Sequence, residues 1–156
     1  MKKWIFAFAG VFLISACTNT PPVQNLPEMT FKHLAPIPVQ AAKLDVVNKS
    51  VTSVEGKEIS HRLPTSPKQA MTQWAYDRLQ PNGSGGRAVF TILEASAVEN
   101  KLEKQTGIKG VFTTDQSERY DLTVDGRLDV YDAQGKNKGF ATAKAHRYMT
   151  VSEDTS

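Results

Sequence analysis

Apolar and polar residues alternate most cleanly over residues 118–132, ERYDLTVDGRLDVYD. Tyr120, Leu122, Val124, Leu128 and Val130 take one side, while Arg119, Asp121, Thr123, Asp125, Arg127 and Asp129 take the other. A period of two belongs to a strand with one buried and one wet face. Gly126 falls on the apolar side, where it marks a bulge or a close approach. Residues 87–96, RAVFTILEAS, are apolar on both faces, as a central strand covered by a helix would be, and the run extends as far as Leu102. Residues 140–151, FATAKAHRYMTV, form a last strand. Its Ala141, Ala143 and Ala145 make a small-residue face that lets a helix approach closely. An earlier strand covers 41–48, with Ala42, Leu44 and Val46 on one face and Lys43 and Asp45 on the other. Residues 49–65 have no period, and a loop of that length has room for a short edge strand.

The pattern changes to helical spacing in SPKQAMTQWAYDRLQ, residues 66–80. Ala70, Met71, Trp74, Ala75 and Leu79 form a stripe, Ser66 and Gln69 have capping-box spacing, and Pro67 suits the first helical position. PNGSGG, residues 81–86, then stops the helix. On this spacing Trp74 is a core residue, and Tyr76 on the other side is available for contact. The expected fold class is α+β: a two-layer sandwich with one main helix packed on an antiparallel sheet of about four strands. The final SEDTS has the composition of a helix start with no helix after it. Either it is a tail, or the domain continues and the sandwich lacks a C-terminal helix here.

The N-terminus adds an address. Met1-Lys2-Lys3 precedes an apolar run from Trp4 to Ile14, shorter than the ~20 residues a spanning helix needs and right for a secretory signal. Ile14-Ser15-Ala16-Cys17 follows, and it resembles the lipobox of bacterial lipoproteins. That resemblance implies cleavage before Cys17, acylation of its thiol and amine, and, with Thr18 next, sorting to the outer membrane. Several acyl chains anchor stably where one does not. The expected division is a signal peptide over 1–16, a lipidated Cys17 with a Pro-rich tether over 17–30, and one periplasmic domain over 31–156. Extended, the tether reaches roughly 40 Å.

Composition reinforces this. Removing the signal leaves 17 basic against 16 acidic residues, so the chain's formal +3 falls to +1. Nucleic-acid binding, which needs a clustered basic face, is therefore not expected. Acylating the only cysteine removes the thiol available for a disulfide or thiolate metal site.

Candidate chemistry is sparse. Ser84 in NGSGGR lies in a helix-to-strand turn, the reverse of a nucleophile elbow. GIKG, residues 107–110, matches a GxxG loop but lies between strands rather than helices. His33, His61 and His146 are scattered, without the convergence a zinc site requires. Asp121, Asp125 and Asp129 alternate with Arg119, Thr123 and Arg127, which reads as a solvated ladder of cross-strand pairs. In TGIKGVFTTDQSERYD, residues 106–121, the apolar Ile108, Val111 and Phe112 stand in a Gly- and Thr-rich loop. They either fold under the sheet or form a tip that meets a partner. Ile108, Val111, Phe112 and Tyr76 are the candidate partner-binding residues. No catalytic residue, metal or cofactor is expected.

The lipobox, SPKQAMTQWAYDRLQPNGSGGRAVFTILEAS and TGIKGVFTTDQSERYDL together resemble a group of small predicted lipoproteins of alphaproteobacteria. Those relatives place a C-terminal helix after the strand equivalent to 140–151. The layout is also similar to auxiliary lipoproteins of ABC-type lipid transport systems and to small activators of peptidoglycan synthases. The resemblance implies a non-enzymatic outer-membrane lipoprotein that binds an envelope protein, with transport auxiliary as the first subtype. The alternatives are a lipid-binding carrier and a regulator of peptidoglycan synthesis.

Overall fold

The computed structural model describes residues 27–51, 57–102 and 116–152. They form a mostly β, α+β unit with one α-helix. In chain order the elements are β1 (Ile37–Val39), β2 (Leu44–Asn48), β3 (Lys57–Glu58), a 3₁₀ turn at Ser60–Arg62, α1 (Pro67–Arg78), β4 (Leu79–Pro81), β5 (Arg87–Lys101), β6 (Gln116–Tyr131) and β7 (Asn137–Ser152).

The main sheet runs β2–β5–β6–β7, with β3 also paired to β5, and it is mixed. β5, β6 and β7 form an antiparallel meander, while β2 runs parallel to β5, with Leu44 opposite Ala88 and Asn48 opposite Ile92. The expected four-strand antiparallel sheet is thus corrected to five strands with one parallel pair. Both shorter strands share one edge of β5: β2 takes its first half, and β3 takes Val98 and Glu99. The parallel arrangement has a clear cause, because α1 separates β2 from β5 and acts as a crossover. β3 is the short edge strand for which 49–65 had room.

α1 begins as its sequence requires. The Ser66 hydroxyl accepts from the Gln69 N–H, the Gln69 side chain accepts from the Ser66 N–H, and Pro67 occupies the first turn. It ends at Arg78, two residues short of the expected bound. Leu79 turns extended (φ −85°, ψ 109°), and Pro81 biases Gln80 away from the helical region. Leu79–Pro81 instead become β4, paired parallel with β1 in a separate two-stranded sheet. The PNGSGG turn follows. Its Gly86 has φ +74°, and a Cβ there would lie 2.1 Å from the Tyr131 carbonyl oxygen, so no other residue fits.

One face of the sheet carries the core. Ala88, Phe90 and Ile92 of β5 pack with Ala75, Leu79, Val39 and Ala41, and Met71, Trp74, Leu44, Val46, Leu128 and Val130 close around them. Trp74 and Phe90 meet at 5.5 Å between ring centroids. Each large side chain buried here contributes roughly 1.5–3 kcal/mol. Ala41 rather than Ala42 enters the core: β2 starts only at Leu44, and Ala42 bends outward to donate its N–H toward Gly85. On β5 the register shifts between Ile92 and Glu94. This bulge moves the helix-side residues from Ala88, Phe90 and Ile92 to Ala95 and Ala97. Leu93 is left partly exposed, which explains why the strand is apolar on both faces.

Candidate functional site

α1 covers β5 and the near side of β6 but stops short of β7. Between them lies an open groove of about 380 Å³. Its walls are Ala70, Met71 and Trp74 of α1 with Phe31 and Pro67. Its floor is Leu122, Val124 and Gly126 of β6 with Ala143 and Ala145 of β7, and Phe90 lies beneath. Each floor residue follows from the alternation of its strand: Gly126 is opposite Ala143 and Val124 is opposite Ala145. The lining has almost no polar surface. Lys144 contributes to the wall, but its ammonium is drawn across the sheet to Glu94 Oε2 at 2.8 Å. The size and apolar character suit a ligand or partner side chains rather than water.

The groove exists because its floor residues are small. A Cβ on Gly126 would approach Phe90 Cζ to 2.8 Å and Met71 Cε to 3.1 Å. The Ala141, Ala143 and Ala145 face is where the sequence placed it, on the helix side of β7, but α1 does not cover it. All three alanines are exposed.

The segment before β1 is held to the far side of α1. Asp77 accepts from the Phe31 N–H at 2.8 Å and from the Thr30 hydroxyl at 3.0 Å, and Gln73 donates to its other oxygen. The Phe31 N–H and these further donors hold the Asp77 carboxyl below its usual range. Arg78 donates to the Ala35 carbonyl at 2.9 Å. Together these bonds place Phe31 at the groove wall.

The opposite face of the sheet is a largely ionic surface. Arg119 grips Asp121 with two N–H groups, at 3.0 and 2.7 Å, and Arg127 grips Asp129 at 2.8 and 2.9 Å. These two Arg–Asp pairs run along one strand, at i and i+2, while the cross-strand contacts the sequence suggested are made by Lys144 to Glu94 and His146 to Asp121. Neighbouring strands also supply an amide and a ring. Asn100 donates to Asp121 and Asn137 to Asp129. The Arg119 guanidinium lies 4.4 Å from the Tyr148 ring centroid, and that of Arg127 lies 4.0 Å from Phe140. The Arg partner is the main cause that lowers both Asp carboxyls. His146 also reaches Asp121, at 3.1 Å. This doubled unit was missed in the sequence, although its signal is there: Arg119/Arg127, Asp121/Asp129 and Phe140/Tyr148 each recur at a spacing of eight.

Of the candidate residues, Tyr76 is 60% exposed on α1. It borders a separate depression with Lys32, Leu34 and Gln80, not the groove. Cys17, Ile108, Val111 and Phe112 lie outside the described residues. His33, His61 and His146 sit on separate elements, and no described group of three or more His, Cys, Asp or Glu side chains could hold a metal. Ser84 lies in the bend between β4 and β5. Comparison of the chain with family models, with curated proteins and with solved structures yields no match.

Proposed function

We propose that this chain is a non-enzymatic binding module of the bacterial envelope, tethered to the outer membrane through acylated Cys17, that holds a protein partner against the groove beside α1. One observation carries the reading: an apolar groove is left open beside α1, while the opposite sheet face is built around two Arg–Asp pairs. Solvent-exposed apolar surface of this kind marks an interaction site. The sequence resemblance to transport auxiliaries makes a membrane transport protein the first partner to seek, and a cell-wall synthase the second. A C-terminal helix like that of the resembled lipoproteins would compete for the same face.

The test is photo-crosslinking in intact cells from a reactive residue at position 143, with Cys17 kept. A single dominant envelope protein, absent when the reactive residue is moved to Gln134, supports the reading. No protein enriched over the position-134 control counts against it.

A second reading, a lipid carrier, is favoured by the near absence of polar surface in the groove. It requires a hydrocarbon chain to co-purify with the chain in addition to its own anchor. Extraction of a Cys17→Ser form that yields no lipid removes this reading.

A further inference from the structure

The apolar face of β7 does not stop at the groove. Alternation carries it from Ala141, Ala143 and Ala145 through Arg147 to Met149 and Val151, in unbroken register with β6. Arg147 stands opposite Leu122, a floor residue of the groove, and Met149 stands opposite Tyr120. Leu122 is 39% exposed and Met149 is 61% exposed. A single charged side chain of β7 is thus set into an open apolar surface.

That arginine is also the unengaged one. Arg62 pairs with Glu99, Arg119 with Asp121 and Arg127 with Asp129, while Arg78 donates to the Ala35 carbonyl and Arg87 lies over the Tyr131 ring. Among the described residues, Arg147 alone of the arginines has no ion pair, hydrogen bond or ring contact. The carboxylates on its own face are taken. Glu99 is buried against Arg62, and Glu118 accepts from the Tyr120 hydroxyl.

We propose that Arg147 selects the groove's partner: the protein segment seated over Ala143 and Ala145 carries a carboxylate that Arg147 grips. This rests on the reading of the groove as a protein-binding site, and it names what that partner must bring. A purely apolar cover would strip water from an unpaired guanidinium, which is unfavourable. A cover that supplies a carboxylate instead gains a forked, charge-assisted pair beside its apolar contacts.

Other occupants meet this face less well. A second copy docked through the same surface brings another Arg147 and no free carboxylate. An anionic lipid could supply the charge, but Ala141, Ala143 and Ala145 are exposed. A hydrocarbon chain laid on them keeps much of its surface in water, whereas ligand sites enclose most of theirs.

The test extends the crosslinking from position 143, in intact cells with Cys17 kept, to Arg147→Lys, Arg147→Met and Arg147→Glu. Arg147 is exposed, so all three are expected to keep the parent's circular dichroism. The crosslink yield should fall slightly with Lys, several-fold with Met and roughly tenfold with Glu. Exchanging the partner's carboxylate nearest the crosslink for Lys should restore the yield of Arg147→Glu. A yield from Arg147→Met equal to or above the parent's would show a partner that needs no charge and would overturn the proposal. An unchanged yield from Arg147→Glu, a crosslink to a second copy of the chain, or a lipid adduct would each overturn it as well. No crosslink in the parent removes the groove reading together with this inference, whereas a normal crosslink indifferent to residue 147 removes the inference alone.

Discussion

Gly126 of β6 lies against the ring of Phe90 on β5, so close that a single added methyl would stand 2.8 Å from Phe90 Cζ. This contact seats the helix side of the sheet and forms the groove floor together. Gly126→Ala pushes Phe90 toward Trp74 and lowers stability by about 1–3 kcal/mol, the usual effect of overpacking. A urea midpoint unchanged from the parent would show that the floor has slack the structure does not indicate.

The opposite outcome is expected on the next strand. Ala145 is exposed on the groove floor with open space above it. Ala145→Phe fills the groove at little cost to stability, within about 0.5 kcal/mol, and eliminates the crosslink from position 143. A variant that folds normally and keeps the crosslink places the partner elsewhere.

Asp77 governs the segment that leads into β1. Asp77→Ala removes the acceptor for the Phe31 N–H and the Thr30 hydroxyl. Limited proteolysis should then cut between residues 28 and 36 several-fold faster, with α1 and the sheet intact. The same segment should loosen in the parent when Asp77 protonates. Its folded pKa lies below the ordinary value, so the hold is complete above about pH 5 and is lost as pH falls below about 4. A cleavage rate that does not rise at any pH as acid is added, measured with an acid-tolerant protease corrected for its own pH response, would remove Asp77 from this role.

The two Arg–Asp units make a related prediction about stability. Asp121 and Asp129 are both held below the usual carboxylate range, first by their Arg partners. A depressed folded pKa means that the contribution is present above the unfolded pKa, near 4, and is lost as pH falls through the lower folded value. The parent's denaturation midpoint should fall between about pH 5 and pH 2. The double variant Asp121→Asn, Asp129→Asn should be less stable at pH 7 and show a flatter acid limb. A parallel acid limb would assign the loss to other carboxylates.

The capping box is a local test of the helix. Ser66→Ala loses the bond to the Gln69 N–H and costs about 1 kcal/mol, read from thermal unfolding followed at 222 nm. An unchanged melting temperature would mean that tertiary packing alone holds the first turn.

Much of this architecture was legible because local rules and tertiary needs agree. The alternation around Gly126, the Ser66–Gln69 box and the Ala141–Ala143–Ala145 face each describe an element by its own neighbours. The parallel pairing of β2 with β5 was not legible. It depends on α1 acting as a crossover, and residues 41–48 carry no mark of strand direction. The bulge at Leu93 was hidden for a related reason: an extra residue shifts the inward set midway, so the strand reads as apolar on both faces. The ladder of cross-strand pairs was half legible: Lys144 does cross to Glu94, but Arg119 and Arg127 fold back to i+2 on their own strand, which alternation alone does not reveal. The groove was half visible. Its small floor could be read from β7, but its openness depends on where α1 ends.

A partner that covers the groove in the cell must shield its floor from a small reagent. Cys17 is the chain's only thiol, so a cysteine placed at position 143 can report on that face alone once Cys17 is acylated. The measurement is maleimide labelling of Ala143→Cys in intact cells and after purification in detergent, with Gln134→Cys in the exposed β6–β7 turn as the reference. Position 143 is expected to be shielded in cells and reactive once purified, while position 134 reacts in both. Equal labelling of position 143 in both settings would contradict a covered groove.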